Sequence, residues 1–195
     1  MPGDIDKYIV RLSFDNSFEK CVRLASFGSA VAPINDNTGH SSKIARQLAH
    51  NDLVTLAIST RRLIDAGNLR SSAAQFEITH RVPYHSTEAG VEFVPTKKRI
   101  AIRALYNKII HSAQFEIHPN EFRIGCQLGI FGSDTYNLYR AALKAKEFKP
   151  VCEIIDEEKK LYFFEIAELA QRSIDFLHQA SEDLQDQIDL GQHTD

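Results

Sequence analysis

Three polar side chains recur at intervals of four residues in the segment "RALYNKIIH": Arg103, Asn107 and His111. On a helix, residues four apart lie on the same side, so these three would form a stripe about two turns long. A histidine can act as general acid or base near neutral pH, an arginine can bind a phosphate through two hydrogen bonds, and an asparagine can orient either group. Such a stripe is suited to metal-independent cleavage of RNA, with the ribose 2′-hydroxyl as the nucleophile.

The stripe needs a helix to hold it, and the spacing predicts one over residues 96–113 with Thr96 as its cap. Ile100 falls within the polar sector of that helix, which indicates a second contact surface such as a dimer partner. The polar stripe also has a simpler explanation, the solvated side of an amphipathic helix, and the spacing alone favours it. The predicted core-facing residues are Ile102, Leu105, Tyr106, Ile109 and Ala113.

Basic residues flank the stripe. Lys97, Lys98 and Arg99 would open the predicted helix, where positive charge is unfavourable to the helix dipole. That misfit makes "TKKR" the best local candidate for contacting a nucleic-acid backbone. Lys108 lies at the far edge of the stripe, and these four residues are the predicted substrate-binding set.

The clearest helix precedes the stripe; it is capped by Ser41 or Ser42 and ends at Gly67. Arg61 and Arg62 lie near its C-terminus, where the helix dipole already favours cations. The alternative, that one of them reaches the same cleft and binds phosphate, stays open.

The remaining elements define the predicted fold class, which is mainly α (α+β). A helix is predicted over residues 4–31, in one piece or in two that meet near residues 15–17, and a last helix begins at Asp156. Residues 70–95 are predicted to be irregular, with at most a short extended piece at 76–79. Alternating segments predict a small antiparallel meander inserted before the last helix, with strands within 115–118, 121–131, 136–145 and 149–155. The expected architecture is a bundle of four or more helices in one domain, residues 1–195, with residues 1–3 and about 185–195 flexible.

Composition narrows the functional classes. The net charge of −3 gives no global attraction for nucleic acid, so any such role needs a local basic patch. Cys21, Cys126 and Cys152 are odd in number and form no C-x-x-C pair, so neither a zinc site nor a disulfide framework is expected. No apolar run is long enough to span a bilayer, and the first residues lack the apolar core of a signal peptide. We therefore expect a cytoplasmic protein with no metal and no cofactor.

The segment "LYNKIIH" resembles the motif helix of HEPN-domain proteins, the higher-eukaryote and prokaryote nucleotide-binding superfamily. The resemblance implies a helical bundle and a homodimer that brings two motif helices together over a shared cleft. Many members are metal-independent ribonucleases of toxin–antitoxin and phage-defence systems. Others are inactive and serve as binding modules.

Transferred residue by residue, the resemblance gives His111 the role of acid or base and places Asn107 at the family's polar position, four residues earlier. The family's arginine normally stands five residues before the histidine, where this chain has Tyr106; the nearest arginine is Arg103, eight residues before. Two functions remain open. One is a dimeric endoribonuclease that uses His111, Arg103 and Asn107, and the other is a non-catalytic binding module that uses the same cleft for a nucleotide, an RNA or a cognate protein.

Overall fold

The chain folds into helices and one antiparallel sheet. The structure, a computed structural model, describes residues 2–29, 40–86, 90–118 and 150–185. Along the chain the elements are α1 (Pro2–Gly28), α2 (His40–Ala66), a short α3 (Arg70–Ala73), β1 (Glu77–Ser86), β2 (Gly90–Ala101), α4 (Ile102–Ile110), β3 (Gln114–His118), β4 (Val151–Ile155), β5 (Leu161–Glu165) and α5 (Ile166–Asp183).

Helix α1 packs against both other long helices, α2 and α5, and α4 packs against α2. One face of α1 is buried. The residues that form it recur at helical spacing and are Val10, Ser13, Ser17, Cys21, Leu24 and Gly28. Helix α1 is continuous, so the alternative of a break near residues 15–17 was wrong. Ser17 is compatible with the buried face because its hydroxyl accepts a hydrogen bond of 3.1 Å from Thr60 Oγ1 on α2.

The five strands form a single sheet in the order β2-β1-β5-β4-β3. Its apolar side joins the helices in one core, through Ile78, Ile117, Cys152, Ile154 and Phe164. The prediction that residues 70–95 are irregular was wrong, since β1 and β2 form a long hairpin there. Pro83 lies in β1 opposite Phe93 of β2, two residues beyond Arg81, where β1 pairs with β5. A proline is tolerated in a strand where one side needs no N–H donor.

The last helix begins ten residues later than expected, at Ile166 rather than Asp156. Asp156 instead closes the β4–β5 turn, where its Oδ1 accepts hydrogen bonds from the backbone N–H of Glu158 (3.1 Å) and Lys160 (2.9 Å). Short acidic side chains that bind nearby backbone N–H groups favour turns as well as helix starts. The three acidic residues Asp156, Glu157 and Glu158 therefore belong to the turn of a β-hairpin and not to the start of a helix.

The prediction of a helical bundle with a small meander is confirmed only in its coarser part. The fold is mixed α and β with high helical content, and β3 and β4 lie where the meander was expected. The sheet is larger than predicted because the β1–β2 hairpin and β5 belong to it. The predicted strands at 121–131 and 136–145 lie outside the described residues, as do most of the ends predicted to be flexible. Among the helices that the structure describes, none has the length and apolar character needed to cross a bilayer.

Gly28 marks the closest approach of α1 to the start of α5. A Cβ added at Gly28 would lie 2.8 Å from the backbone N of Ala167, closer than side chains tolerate. We expect Gly28→Ala to lower the free energy of unfolding by about 1–3 kcal/mol, as overpacking does, even though alanine favours helices. Urea denaturation measures this, with Ser29→Ala at the next, exposed position as control. An unchanged or raised stability in Gly28→Ala would contradict the close contact.

Candidate functional site: an arginine cluster beside the motif helix

Helix α4 is shorter than the predicted motif helix because the chain before Ile102 belongs to β2. The backbone N–H of Ile102 donates a hydrogen bond of 2.8 Å to Phe76 O, next to the β1–β2 pairing. Thr96 is therefore a strand residue and not a helix cap. Ile100 is half-buried and packs against the core, so it does not mark a partner surface on the helix. Four of the predicted core residues are buried as expected (Ile102, Leu105, Tyr106 and Ile109), whereas Ala113 is exposed and follows the helix.

Tyr106, which stands where the family's arginine would be, is fully buried. Its hydroxyl forms a hydrogen bond with Ser173 Oγ on α5 and lies near Thr60 on α2. Burial raises the pKa of Tyr106 well above its ordinary value, and the neighbouring Cys21 raises it further. This position of α4 therefore faces the helical core, on the opposite side from the polar stripe.

Three arginines from three different helices converge on one carboxylate, that of Asp65 near the end of α2. Arg61 Nε lies 2.7 Å from Asp65 Oδ2, while Arg70 Nη2 and Arg103 Nη2 lie 3.2 Å and 3.5 Å from Asp65 Oδ1. Arg61 Nη1 also donates a hydrogen bond to Asn107 Oδ1 on α4. We call Arg61, Asp65, Arg70, Arg103 and Asn107 the arginine cluster.

The arginine cluster keeps an excess of positive charge. Burial alone would raise the pKa of Asp65, but the hydrogen bond and charge of Arg61, with the charges of Arg103 and Arg70, outweigh it and lower that pKa. One ionised carboxylate thus faces three guanidinium groups. In addition, Arg103 Nε is buried and has no hydrogen-bond partner among the described residues. A buried donor without an acceptor is unusual in a folded protein.

His111 lies one turn beyond Asn107, just past the end of α4, and is exposed. Its backbone N–H donates a hydrogen bond of 3.0 Å to Asn107 O. The side chain lines an open pocket of about 290 Å³ together with Asn107, Lys108, Asp156, Glu157 and Glu158. One lysine against three carboxylates makes this pocket a poor place for a phosphate.

Lys108 is already engaged by the protein. Its Nζ lies 2.9 Å from Asp156 Oδ2 and 4.3 Å from the centre of the Tyr162 ring. Burial alone would lower the pKa of Lys108, but the hydrogen bonds to Asp156 and Tyr162 raise it. The hydrogen bond from Lys108 likewise lowers the pKa of Asp156. Lys108 therefore ties α4 to the β4–β5 turn.

The structure separates the predicted site residues into three groups. Arg103 and Asn107 belong to the arginine cluster, and His111 and Lys108 line the acidic pocket with Asn107 between them. Eight residues of helix separate Arg103 from His111 by about 12 Å along the axis. Lys97, Lys98 and Arg99 lie in β2, so the prediction that they open a helix was wrong; Lys98 and Arg99 are exposed there.

Sequence reasoning missed Asp65 and Arg70. For Arg61 it left two explanations open, the helix dipole and a contact with the same cleft. One signal was available, because Arg61 and Asp65 stand four apart, the spacing of an ion pair on a helix. The contribution of Arg70 depends on the turn after α2 and carries no such signal.

No group of three metal-ligating side chains occurs within the described parts of the chain. Cys21 and Cys152 are buried free thiols, and burial raises the pKa of each to about 12. Cys126 lies outside the described residues. Comparison of the chain with family models, with curated proteins and with solved structures finds no match.

Proposed function

We propose that this chain is an RNA-binding module that holds the phosphate backbone of RNA with the arginine cluster. The observation that carries the proposal is the convergence of Arg61, Arg70 and Arg103 on the single carboxylate of Asp65. Because three guanidinium groups share one ionised carboxylate, the cluster has positive charge to spare for a phosphate.

Guanidinium groups match the geometry of phosphate oxygens and remain charged at every physiological pH. The chain as a whole carries a net charge of −3, so attraction for RNA must be local, and the cluster is a local excess of positive charge. The resemblance of Arg103–His111 to the HEPN motif helix favours RNA over other phosphate ligands. It also leads us to propose a homodimer in which two such surfaces meet.

Binding without cleavage is the better supported of the two functions. The exposed His111 lies among the carboxylates of Asp156, Glu157 and Glu158, which repel the phosphodiester that a catalytic histidine must approach. Tyr106, at the family's arginine position, is buried in the core and cannot contact a substrate phosphate.

One observation favours metal-independent ribonuclease activity as a second candidate function. Asn107 accepts a hydrogen bond from Arg61 and also lines the pocket of His111. In this candidate, Arg61 from α2 replaces the missing arginine of the motif, and His111 is the acid or base. The substrate phosphate would lie between them, on Asn107.

Incubation with RNA separates the two functions. Purified protein is mixed with a fluorescein-labelled single-stranded RNA, binding is followed by fluorescence anisotropy, and the integrity of the RNA is followed on a denaturing gel. We expect the wild-type protein and His111→Ala to bind the RNA equally well and to leave it intact. Cleavage by the wild type that is lost in His111→Ala would establish the ribonuclease instead, and no binding at all would refute both.

A further inference from the structure

A second pocket lies on the sheet, where the pairing of β1 with β2 is irregular. Thr79 pairs with Arg99, but Arg81 pairs with Pro95, so three residues of β2 lie opposite the single residue His80. Bulges of this kind bend a strand and redirect its side chains, and they are frequent next to binding sites. The bulge contains residues 96–98, most of the "TKKR" segment.

The pocket beside this bulge has a volume of about 390 Å³ and is basic. It is lined by His80, Lys98, Arg99, Ile100, Lys160, Leu161 and Tyr162, drawn from β1, β2 and the start of β5. Among the described residues of this lining there are three cations, Lys98, Arg99 and Lys160, and no carboxylate. Lys160 forms an ion pair with the exposed Glu158, whereas Arg99 has no ion pair with a described residue. With Glu158 set against Lys160, the pocket still carries a net positive charge that suits one phosphate group.

The floor of the same pocket is aromatic and apolar. The His80 ring lies 5.3 Å from the Tyr162 ring and 5.8 Å from the Phe164 ring, and Tyr162 stacks on Phe164 at 6.4 Å. Burial, together with the charge of Lys98, lowers the pKa of His80, which favours the neutral imidazole as part of the aromatic floor. Leu161 is 37% exposed and adds apolar surface to the pocket.

We propose that this pocket binds a nucleoside monophosphate, either as the free molecule or as one unit of an RNA strand. Arg99 and Lys160 hold the phosphate, and the base lies against Leu161 and Tyr162. The volume falls within the range of about 300–1,000 Å³ typical of small-molecule sites. No residue of the arginine cluster lines the pocket, so the inference does not depend on the proposed function.

Isothermal titration calorimetry with adenosine 5′-monophosphate and inorganic phosphate tests the pocket in the full-length protein. We expect Arg99→Gln and Lys160→Gln each to weaken binding of the nucleotide about tenfold or more, the loss expected for one charge-assisted hydrogen bond. Inorganic phosphate should bind at least about tenfold more weakly than the nucleotide, because it lacks a base to stack. Lys159→Gln is the matched control, since Lys159 is an exposed neighbour that does not line the pocket.

A short single-stranded RNA, titrated in parallel, distinguishes the two sources of the nucleotide. Loss of RNA affinity in Arg99→Gln with no binding of the free nucleotide assigns the pocket to a unit of RNA. The proposal is overturned if neither ligand responds to Arg99→Gln or Lys160→Gln, or if inorganic phosphate binds as tightly as the nucleotide. It is also overturned if nucleotide affinity falls only in the double variant Arg61→Gln/Arg103→Gln, which would place the nucleotide in the arginine cluster and leave the proposed function intact.

Discussion

Replacing Tyr106 by arginine, which would give α4 the arginine spacing found in HEPN-domain proteins, is expected to unfold the protein. Tyr106 is fully buried between Ser173 of α5 and Thr60 of α2. An unpaired charge at such a position costs several kcal/mol even after relaxation, while a domain of this kind is stable by about 5–15 kcal/mol. Circular dichroism and thermal melting should show loss of the folded state or a large fall in Tm.

Two variants make this result specific. Ala104→Arg adds the same side chain to the exposed side of the same helix and should melt like the wild type. Tyr106→Phe keeps the ring and removes the hydroxyl, so it should fold and lose about 1 kcal/mol, the usual contribution of one hydrogen bond. If Tyr106→Arg folded normally and gained RNA cleavage, this position of α4 would have to face a cleft, and our account of the helix would be wrong.

Removing two arginines of the cluster should abolish most RNA binding. In Arg61→Gln/Arg103→Gln, two guanidinium groups that we assign to phosphate binding become neutral, and we expect the affinity to fall by about 100-fold. The slope of log K against log salt should flatten by about 0.7 for each phosphate that is no longer neutralised, as for single-stranded nucleic acids. Fluorescence anisotropy at several salt concentrations measures both quantities.

The control for this loss must carry the same change in net charge. Arg11→Gln/Arg172→Gln removes two exposed arginines that form ion pairs with Asp15 on α1 and Asp175 on α5, outside the arginine cluster. We expect this variant to keep its RNA affinity within a few-fold. An equal loss of RNA affinity in both double variants would mean that binding depends only on the total charge of the protein. The arginine cluster would then not be the RNA-binding site.

The buried side of α4 was predictable because it depends only on local periodicity. Ile102, Leu105, Tyr106 and Ile109 recur every three or four residues, and all four are buried as predicted. The start of the helix was not predictable in the same way. Thr96 is a residue type that often caps a helix, but here it lies in β2, which pairs with β1. That pairing depends on residues about 20 positions away in the sequence, which local periodicity does not report.

In the candidate site too, contacts within one helix were predictable and contacts between helices were not. Asn107 and His111 were expected to share one surface because they stand one helical turn apart, and they line one pocket. Arg103 was expected to act with His111, but its ion-pair partner is Asp65, which lies 38 residues earlier on α2. Arg70 reaches the same carboxylate from α3. Ion pairs between helices of this kind follow from packing, which periodicity alone does not specify.

The central claim, that the arginine cluster is the RNA-binding centre, is tested most directly by the RNA affinity of Asp65→Asn. This change removes the one negative charge that the three arginines share and keeps a side chain that accepts hydrogen bonds. A charge close to a bound phosphate is worth about 1 kcal/mol in water, so we expect RNA to bind about fivefold more tightly than to the wild type, with Asp175→Asn on α5 unchanged. Unchanged or weaker binding of RNA by Asp65→Asn would contradict the account.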